Sequence, residues 1–299
     1  MSGVPTTVLE VTNQIQKYWA PMFTQELRES HLLPALVNKE YQGDLKREGD
    51  TVYVSQINAP TGQLLTVGAN ADTFSAEAVS LSRVAVQANK RAVASYKISD
   101  LAMLQSQLDS HDSEMRQALM FAMGKQINNY LYSLVAPSTS SPDHSIASVT
   151  DFNAAQLSAL RLLAAKAKWP KDGRWYLLAD PSYYSDLLNA TTLTSSDYGA
   201  ADAPVVGGQI AMKRFGFNIL EDNTDGIYAG ISPTSGASAD CALAFHPDFM
   251  HMVQQSEVQV KVSDLHALGE FGFLISVDLV FGAVLGINGN VKHIEVYNS

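Results

Sequence analysis

The stretch Arg174-Trp175-Tyr176-Leu177-Leu178-Ala179-Asp180-Pro181-Ser182-Tyr183-Tyr184 carries two elements in a few residues. Trp175–Ala179 has no charged position, as in a short strand buried on both faces. Asp180-Pro181 then starts a helix. An acid at the N-cap accepts from orphan amides of the first turn, and proline's fixed φ suits the first helical position. Tyr183, Tyr184, Leu187 and Leu188 follow on that helix. A buried strand leading straight into a capped helix predicts an α/β layer for this half of the chain.

Working outward, Thr150-Asp151 is expected to cap a helix that runs to Lys168, where Trp169-Pro170 stops it. Residues 189–208 read as a loop rich in Thr, Ser, Ala and Gly, long enough to be functional or mobile. Gly216-Phe217-Asn218-Ile219-Leu220 and Ala242-Leu243-Ala244-Phe245 predict further short strands. The most regular strand holds Phe271, Phe273, Ile275, Val277, Leu279 and Phe281 at period two. Its other face carries Ser276, Asp278 and two glycines, so one face is expected to be buried and the other partly solvated. Asn288-Gly289, before residues 291–297, predicts a tight hairpin turn.

The loop from Pro137 to Pro142 is the best candidate boundary. Before it, Met115, Leu119, Ala122, Ile127, Leu131 and Leu134 mark a helix on the order of 35 Å long. Ser99-Asp100 is placed to cap a short helix with Leu101, Leu104 and Leu108 on one face. Residues 51–57 are rich in β-branched side chains and stop at Asn58-Ala59-Pro60, and residues 79–98 return to extended character with Val84, Val86 and Val93. Together they predict a long β-hairpin across the aperiodic residues 61–78. A two-stranded hairpin is marginal alone in water, so something else must cover its apolar positions. At the N-terminal end, Val8, Val11, Ile15, Tyr18 and Trp19 have helical spacing; Pro21 interrupts it, and Met22, Phe23 and Leu27 continue the face.

Composition bounds the function. The 299 residues suffice for one large domain or two smaller ones. No window approaches the roughly 18 apolar residues of a membrane helix, and Met1-Ser2-Gly3-Val4-Pro5 does not read as a secretory signal, so a cytoplasmic origin is expected. The single cysteine, Cys241, excludes an intrachain disulfide. Charged residues are 17% of the chain, against about 25% in typical soluble domains. Interface cores are depleted in charge, so this number fits a surface covered by copies of itself, as it also fits a compact uncharged monomer. The net charge of −10 argues against a dedicated nucleic-acid binder and leaves only local, weak contact with DNA.

No constellation points to catalysis, a cofactor or a metal. His246 and His251, with Asp248, are five apart around Pro247 and lack the i, i+4 geometry of a helical metal pair. His31, His111, His144, His266 and His293 are scattered, and Cys241 opens an apolar strand where a buried inert thiol is the default. Gly207-Gly208 lacks the Lys-Ser/Thr of a phosphate loop, no G-x-S-x-G elbow occurs, and turn chemistry accounts for Asp222 and Asp225. The one charge feature is Arg83, Lys90, Arg91 and Lys97, with no acid between Ala78 and Ser99. It is either a solvated face that keeps an exposed edge from aggregating or a basic strip that meets acidic surface on neighbouring subunits. The hairpin needs a partner in any case, which favours the second reading and makes these four the candidate inter-subunit contacts.

In order, these parts resemble the major capsid protein of tailed bacteriophages: an N-terminal arm, an extended loop, a long spine helix, an α/β axial domain and a closing β-hairpin. The segment 174–184 quoted above is similar to the strand, proline and helix at the heart of that family's axial domain. Lys213-Arg214-Phe215-Gly216-Phe217-Asn218-Ile219-Leu220-Glu221-Asp222-Asn223 looks like its glycine-led strand, and Ala242-Leu243-Ala244-Phe245-His246-Pro247-Asp248 like the strand before a short helix. Ser276-Val277-Asp278-Leu279-Val280-Phe281-Gly282-Ala283 resembles the closing strand with its aromatic-Gly-Ala step.

The resemblance implies an α+β capsid fold. It divides the chain into an arm and connection (1–50), an extended loop (51–98), a peripheral domain with the spine helix (99–149), an axial domain (150–265) and closing strands (266–299). It implies a non-enzymatic protein that assembles as pentamers and hexamers into the icosahedral shell of a tailed double-stranded DNA phage. A separate scaffolding protein, a portal and weakly held packaged DNA would be its partners, with no membrane, and assembly would take place in the host bacterial cytoplasm. Some family members crosslink through a lysine in the extended loop. Residues 48–82 contain no lysine, so that chemistry is not expected here. An encapsulin-type compartment protein, or a monomeric α/β enzyme, are the alternatives.

Overall fold

The computed structural model describes residues 31–41, 51–65, 74–100, 112–135, 145–146, 149–190, 193, 213–231, 240–256, 258–266 and 269–298. The apolar spacing expected at residues 6–30, the short helix after Ser99-Asp100 and most of the 189–208 loop lie outside them.

In chain order, α1 (Leu33–Leu36) precedes strands β1 (Thr51–Ile57), β2 (Leu81–Gln87) and β3 (Lys90–Ile98). The long helix α2 (Asp112–Val135), strand β4 (Ser145–Ile146) and α3 (Ala154–Lys166) follow. Next come β5 (Trp175–Ala179), α4 (Pro181–Asn189), β6 (Lys213–Arg214), β7 (Phe217–Glu221) and α5 (Asp225–Ile231). The last strands are β8 (Cys241–Phe245), β9 (Met250–Gln254), β10 (Gln259–Asp264), β11 (Phe273–Leu285) and β12 (His293–Tyr297). They form three sheets: β1-β2 alone, a four-stranded sheet of β10-β11-β3 with β9 also on β11, and a six-stranded sheet ordered β4-β12-β8-β5-β7-β6.

The strand and helix read from residues 174–184 sit in the six-stranded sheet. Asp180 caps α4, its carboxylate accepting from the Tyr183 amide at 2.9 Å. Alternate residues of this sheet face two cores. Leu177, Ala179, Phe217, Ile219, Ala242, Ala244, Ile294 and Val296 pack with Leu157 and Leu160 of α3 and Tyr183 and Leu187 of α4. Leu178, Leu243 and Phe245 face the other way, toward α5 and α2. Burial on both faces is why these strands lack alternation. The cap of α3 is Asn153 rather than Thr150-Asp151, its side chain accepting from the Ala155 amide at 2.9 Å.

Helix α2 joins the two larger sheets. Its 24 residues span about 36 Å at 1.5 Å per residue. Leu119, Met123, Ile127, Leu131 and Val135, each four from the last, form the buried row, whereas Ala122 lies on the exposed side. Tyr132 from the same helix bonds the Asp222 carboxylate, and Asn128 donates to Thr224 Oγ1 at 3.1 Å. Helix α5 approaches so closely that a Cβ on Gly230 would stand 2.6 Å from the Tyr132 carbonyl oxygen.

Two expectations about strand pairing are corrected. The hairpin ends at Gln87, because residues 79–98 are two strands: β2 pairs β1, while β3 pairs β11 over nine residues from Ile98↔Phe273 to Lys90↔Phe281. A turn, with the Asn89 amide on the Gln87 carbonyl at 3.0 Å, separates them. Asn288-Gly289 does turn the chain, with Asn288 left-handed at φ 58°, but it closes no hairpin. A 3-10 turn at Gly289–Val291 carries the chain across to the six-stranded sheet, where β12 pairs β8 and β4. Strand β12 finds there the two-sided burial that the four-stranded sheet does not provide at its edge.

Candidate assembly interface

The β1-β2 hairpin has one anchored face and one open face. Paired residues share a side, so Val52, Val54, Val84 and Val86 form one row and Tyr53, Ser55, Ile57, Leu81, Arg83 and Ala85 the other. Val54 and Val86 pack on Val253 and Ala88, with Val52, Val280 and Val284 at the margin, which roots the hairpin in the four-stranded sheet. The opposite row is bare: Tyr53, Ile57 and Leu81 are each more than half exposed. Beyond the ladder, side chains replace backbone pairing. Gln63 both donates to the Ser75 carbonyl, at 2.9 Å, and accepts from the Ser75 amide, at 3.2 Å. The Thr61 amide donates to Glu77 at 2.9 Å. Leu64, Phe74 and Val79 remain exposed along this stretch. The hairpin is therefore shaped from within, and among the described residues no segment packs over its open row.

The root is held by a close approach. A Cβ on Gly282 would fall 1.8 Å from the Gln87 carbonyl oxygen, so only glycine lets β11 pass under the end of β2. The aromatic-Gly-Ala step noted in the sequence thus has a steric cause. Beside the root lies a polar cleft of about 160 Å³ lined by Asn38, Glu40, Asp248, His251, Lys292 and residues of β1. The Asn38 amide donates to Asp248 there at 2.8 Å.

A second open surface belongs to the four-stranded sheet. Phe273, Ile275, Val277, Leu279 and Phe281 do share a face, but only Val277, Leu279 and Phe281 are buried, against α2. Farther out, the same face shows Tyr96, Val260, Val262 and Phe273 to solvent, while Phe271, also exposed, precedes the strand. Sequence reading missed β10, although Val258, Val260 and Val262 alternate and could have signalled it.

The four basic candidates do not form one strip. Arg83 stands on the open row of the hairpin, its guanidinium 5.2 Å from the Tyr53 ring centre. Lys90 lies on the helix-facing side of β3, its ammonium 5.4 Å from the Tyr130 ring. Arg91 and Lys97 point from the other face of β3, and both meet acids of their own chain. Arg91 Nε donates to Asp278 at 2.9 Å, joined there by Lys261 at 3.1 Å, and Lys97 pairs with Glu270. The Arg91 and Lys261 hydrogen bonds hold the Asp278 carboxyl below the usual carboxylate range. Asp278 lies 187 residues from Arg91, and Glu270 is similarly remote from Lys97, which is why only the fold brings these acids to the basic residues.

Buried polar groups elsewhere have structural work. His246 accepts from the Asp248 amide at 3.3 Å, capping the 3-10 turn at Pro247–Phe249, and its other ring nitrogen meets Asp172 at 3.1 Å. His293 bonds the Gly289 carbonyl at 2.7 Å. Cys241 is wholly buried, and burial beside Asp180, Asp240 and Asp222 pushes its thiol well above the ordinary range. Among the described residues no three His, Cys, Asp or Glu side chains gather as metal ligands, and no helix is long and apolar enough to cross a membrane.

Among the described residues, the hairpin and the four-stranded sheet each leave an apolar face open, and the long helix α2 lies between the two larger sheets. The model of the phage capsid protein family matches residues 48–295. The chain belongs to that family.

Solved structures agree at the level of fold. A chain from Mycobacterium phage Che8 is 19% identical, covers 94% of this chain and 96% of its own, and superposes with a TM-score of 0.74. The capsid of cyanophage P-SCSP1u is 15% identical over 99% and 96% of the two chains, with a TM-score of 0.72. The acid-stable capsid of Helicobacter pylori bacteriophage KHP30 is 7% identical yet covers both chains fully, at 0.68. No curated protein sequence matches the chain. The protein is thus a phage major capsid protein of α+β capsid fold, a component of the virion shell, and the encapsulin alternative is not favoured. A shell-building family fits a structural role better than a catalytic one.

Proposed function

We propose that this capsid protein assembles as pentamers and hexamers into the icosahedral shell of a tailed double-stranded DNA phage by laying its β1-β2 hairpin on an adjacent subunit. The observation that carries this reading is the bare row Tyr53, Ile57 and Leu81, which an isolated subunit leaves in water. The exposed face with Tyr96, Val260, Val262 and Phe273 on the next copy is the matching apolar surface. Burying one against the other would give a heterologous contact that repeats around a symmetry axis. Of the basic candidates, Arg83 is the one placed to reach a neighbour's acid, while Lys90, Arg91 and Lys97 complete contacts within the chain. A separate scaffolding protein guides assembly in the host bacterial cytoplasm, the portal occupies one vertex, and packaged DNA touches the wall weakly and without sequence preference. No loop-tip crosslink forms, since residues 48–82 offer no lysine.

Limited proteolysis of free subunits and of shells, with mass spectrometry of the fragments, tests the arm. Cleavage within residues 61–78 should be rapid in free protein and suppressed in shells. Equal resistance in both states would refute the proposal. Arg83→Glu should leave the melting temperature of the subunit nearly unchanged, since an exposed charge contributes roughly 0–1 kcal/mol, and should slow shell closure.

A further inference from the structure

An acidic chain that encloses a polyanion has to meet it somewhere. Among the described residues, cations without an acid partner gather at a place away from the hairpin. No acid occurs between Asp151 and Asp172, while Arg161, Lys166, Lys168 and Lys171 fall within that interval. Folding brings Lys213, on β6 at the edge of the six-stranded sheet, to the same place. A cleft of about 270 Å³ opens there, lined by Arg161 and Ala165 of α3, Lys171, Gly173, Trp175 and Gly216. A Cβ on Gly216 would lie 3.6 Å from the Trp175 ring and 3.9 Å from Arg161 Nη1, and one on Gly173 would lie 3.8 Å from Lys213 Nζ. Cations from a helix and a loop therefore line one hollow, and one from an edge strand stands beside its Gly173 rim.

The nearby carboxylate is already committed: Asp172 accepts from Arg174 Nε at 2.6 Å and meets His246 at 3.1 Å. Among the described residues Arg161, Lys171 and Lys213 have no acid partner. We propose that this cleft is a phosphate-binding site for the backbone of the packaged duplex, an assignment that rests on the protein enclosing DNA as a shell. Trp175 is only 7% exposed and donates its indole N–H to the Pro170 carbonyl at 2.6 Å, so it walls the cleft rather than offering a face on which a base could stack. Cations without a base-reading group bind phosphate and ignore sequence. Lys166 and Lys168, both exposed, carry the positive charge past the cleft along the end of α3. A strip of that kind suits a repeating polyanion, with one charge per about 1.7 Å of duplex axis, better than a single carboxylate from a neighbouring copy.

Amine-reactive labelling of DNA-filled shells and of the same shells emptied of DNA, read residue by residue by mass spectrometry, tests this. Lys168, Lys171 and Lys213 should label several-fold more slowly in filled shells and recover on emptying. In filled shells of an R161Q/K213Q variant, protection of Lys171 should fall toward the emptied value. If that variant does not assemble, a salt series on wild-type filled shells gives the same readout, because phosphate contacts weaken steeply with ionic strength. Equally slow labelling in both particles would mean that a neighbouring subunit covers the cleft, and equally fast labelling that it faces away from the genome. Protection unchanged in the variant, or unchanged by salt, would mean bulk crowding by DNA. Each of these overturns the proposal, whereas wild-type protein that never forms shells would instead refute the assembly reading beneath it.

Discussion

Gly282→Ala tests whether the arm's root works as described. The added methyl would sit 1.8 Å from the Gln87 carbonyl oxygen and 2.6 Å from its carbon, both backbone atoms that no rotamer change can move aside. Relief requires β11 and the end of β2 to separate by more than 1 Å. Val54, Val86 and Val253, all buried at that root, would lose contact as they part. Overpacking of this kind costs about 1–3 kcal/mol, and a clash against backbone belongs at the upper end. For a chain of 299 residues, with an unfolding entropy of about 2.1 cal/mol/K per residue, that corresponds to a fall in Tm of about 5 °C. Because the displacement is at the root, the arm would also leave the body at a different angle. Shell formation should therefore be impaired even well below the new Tm. Gly62→Ala is the control: nothing lies within 4 Å of its Cβ, so it should melt and assemble like the wild type. Thermal unfolding of the subunit with light scattering of assembly measures both effects. A Gly282→Ala protein with wild-type Tm and assembly rate would show that the root has slack, and the account of the aromatic-Gly-Ala step would fail.

Leu131→Ala should cost about 2–5 kcal/mol in chemical unfolding, because Leu131 is fully buried in the row of α2 that faces both sheets; Leu119→Ala, in the same row, should behave alike, and wild-type unfolding of either would mean the row is misassigned. Burial pushes the Asp180 carboxyl up to about 6 from an ordinary 3.8. The folded state thus holds this proton more tightly than the unfolded one, so its stabilising contribution is complete below about pH 3.8 and is lost as pH rises to about 6. Asp180→Asn keeps an acceptor for the Tyr183 amide without the charge, and its stability relative to wild type should rise between pH 4 and pH 7; a constant difference across that range would refute the assignment.

Local rules made several elements legible. Asp180-Pro181 names a helix start whatever surrounds it, since cap and proline act within one turn, and the β-branched run from Thr51 declares a strand on its own. The leucines of α2 sit at helical spacing in any context. The order of such elements carried the family resemblance, and with it the fold class. What the sequence could not decide was partnership. Residues 79–98 look like one strand because nothing local says that Gln87 and Lys90 belong to different sheets; that division exists only because β11 lies beside β3. Asn288-Gly289 encodes a turn, yet whether the strands on either side pair depends on the sheet that can bury β12 on both faces, Ile294 and Val296 on one and His293 and Glu295 on the other. Arg91 and Lys97 read as free cations until Asp278 and Glu270 arrive from the far end of the chain, and Arg161 and Lys213 meet only where α3 and β6 border the same cleft. Propensity, capping and turn chemistry act over a few residues and are written in order along the chain. Pairing, charge compensation and clefts depend on which distant segment arrives, and that is settled by burial of the whole molecule.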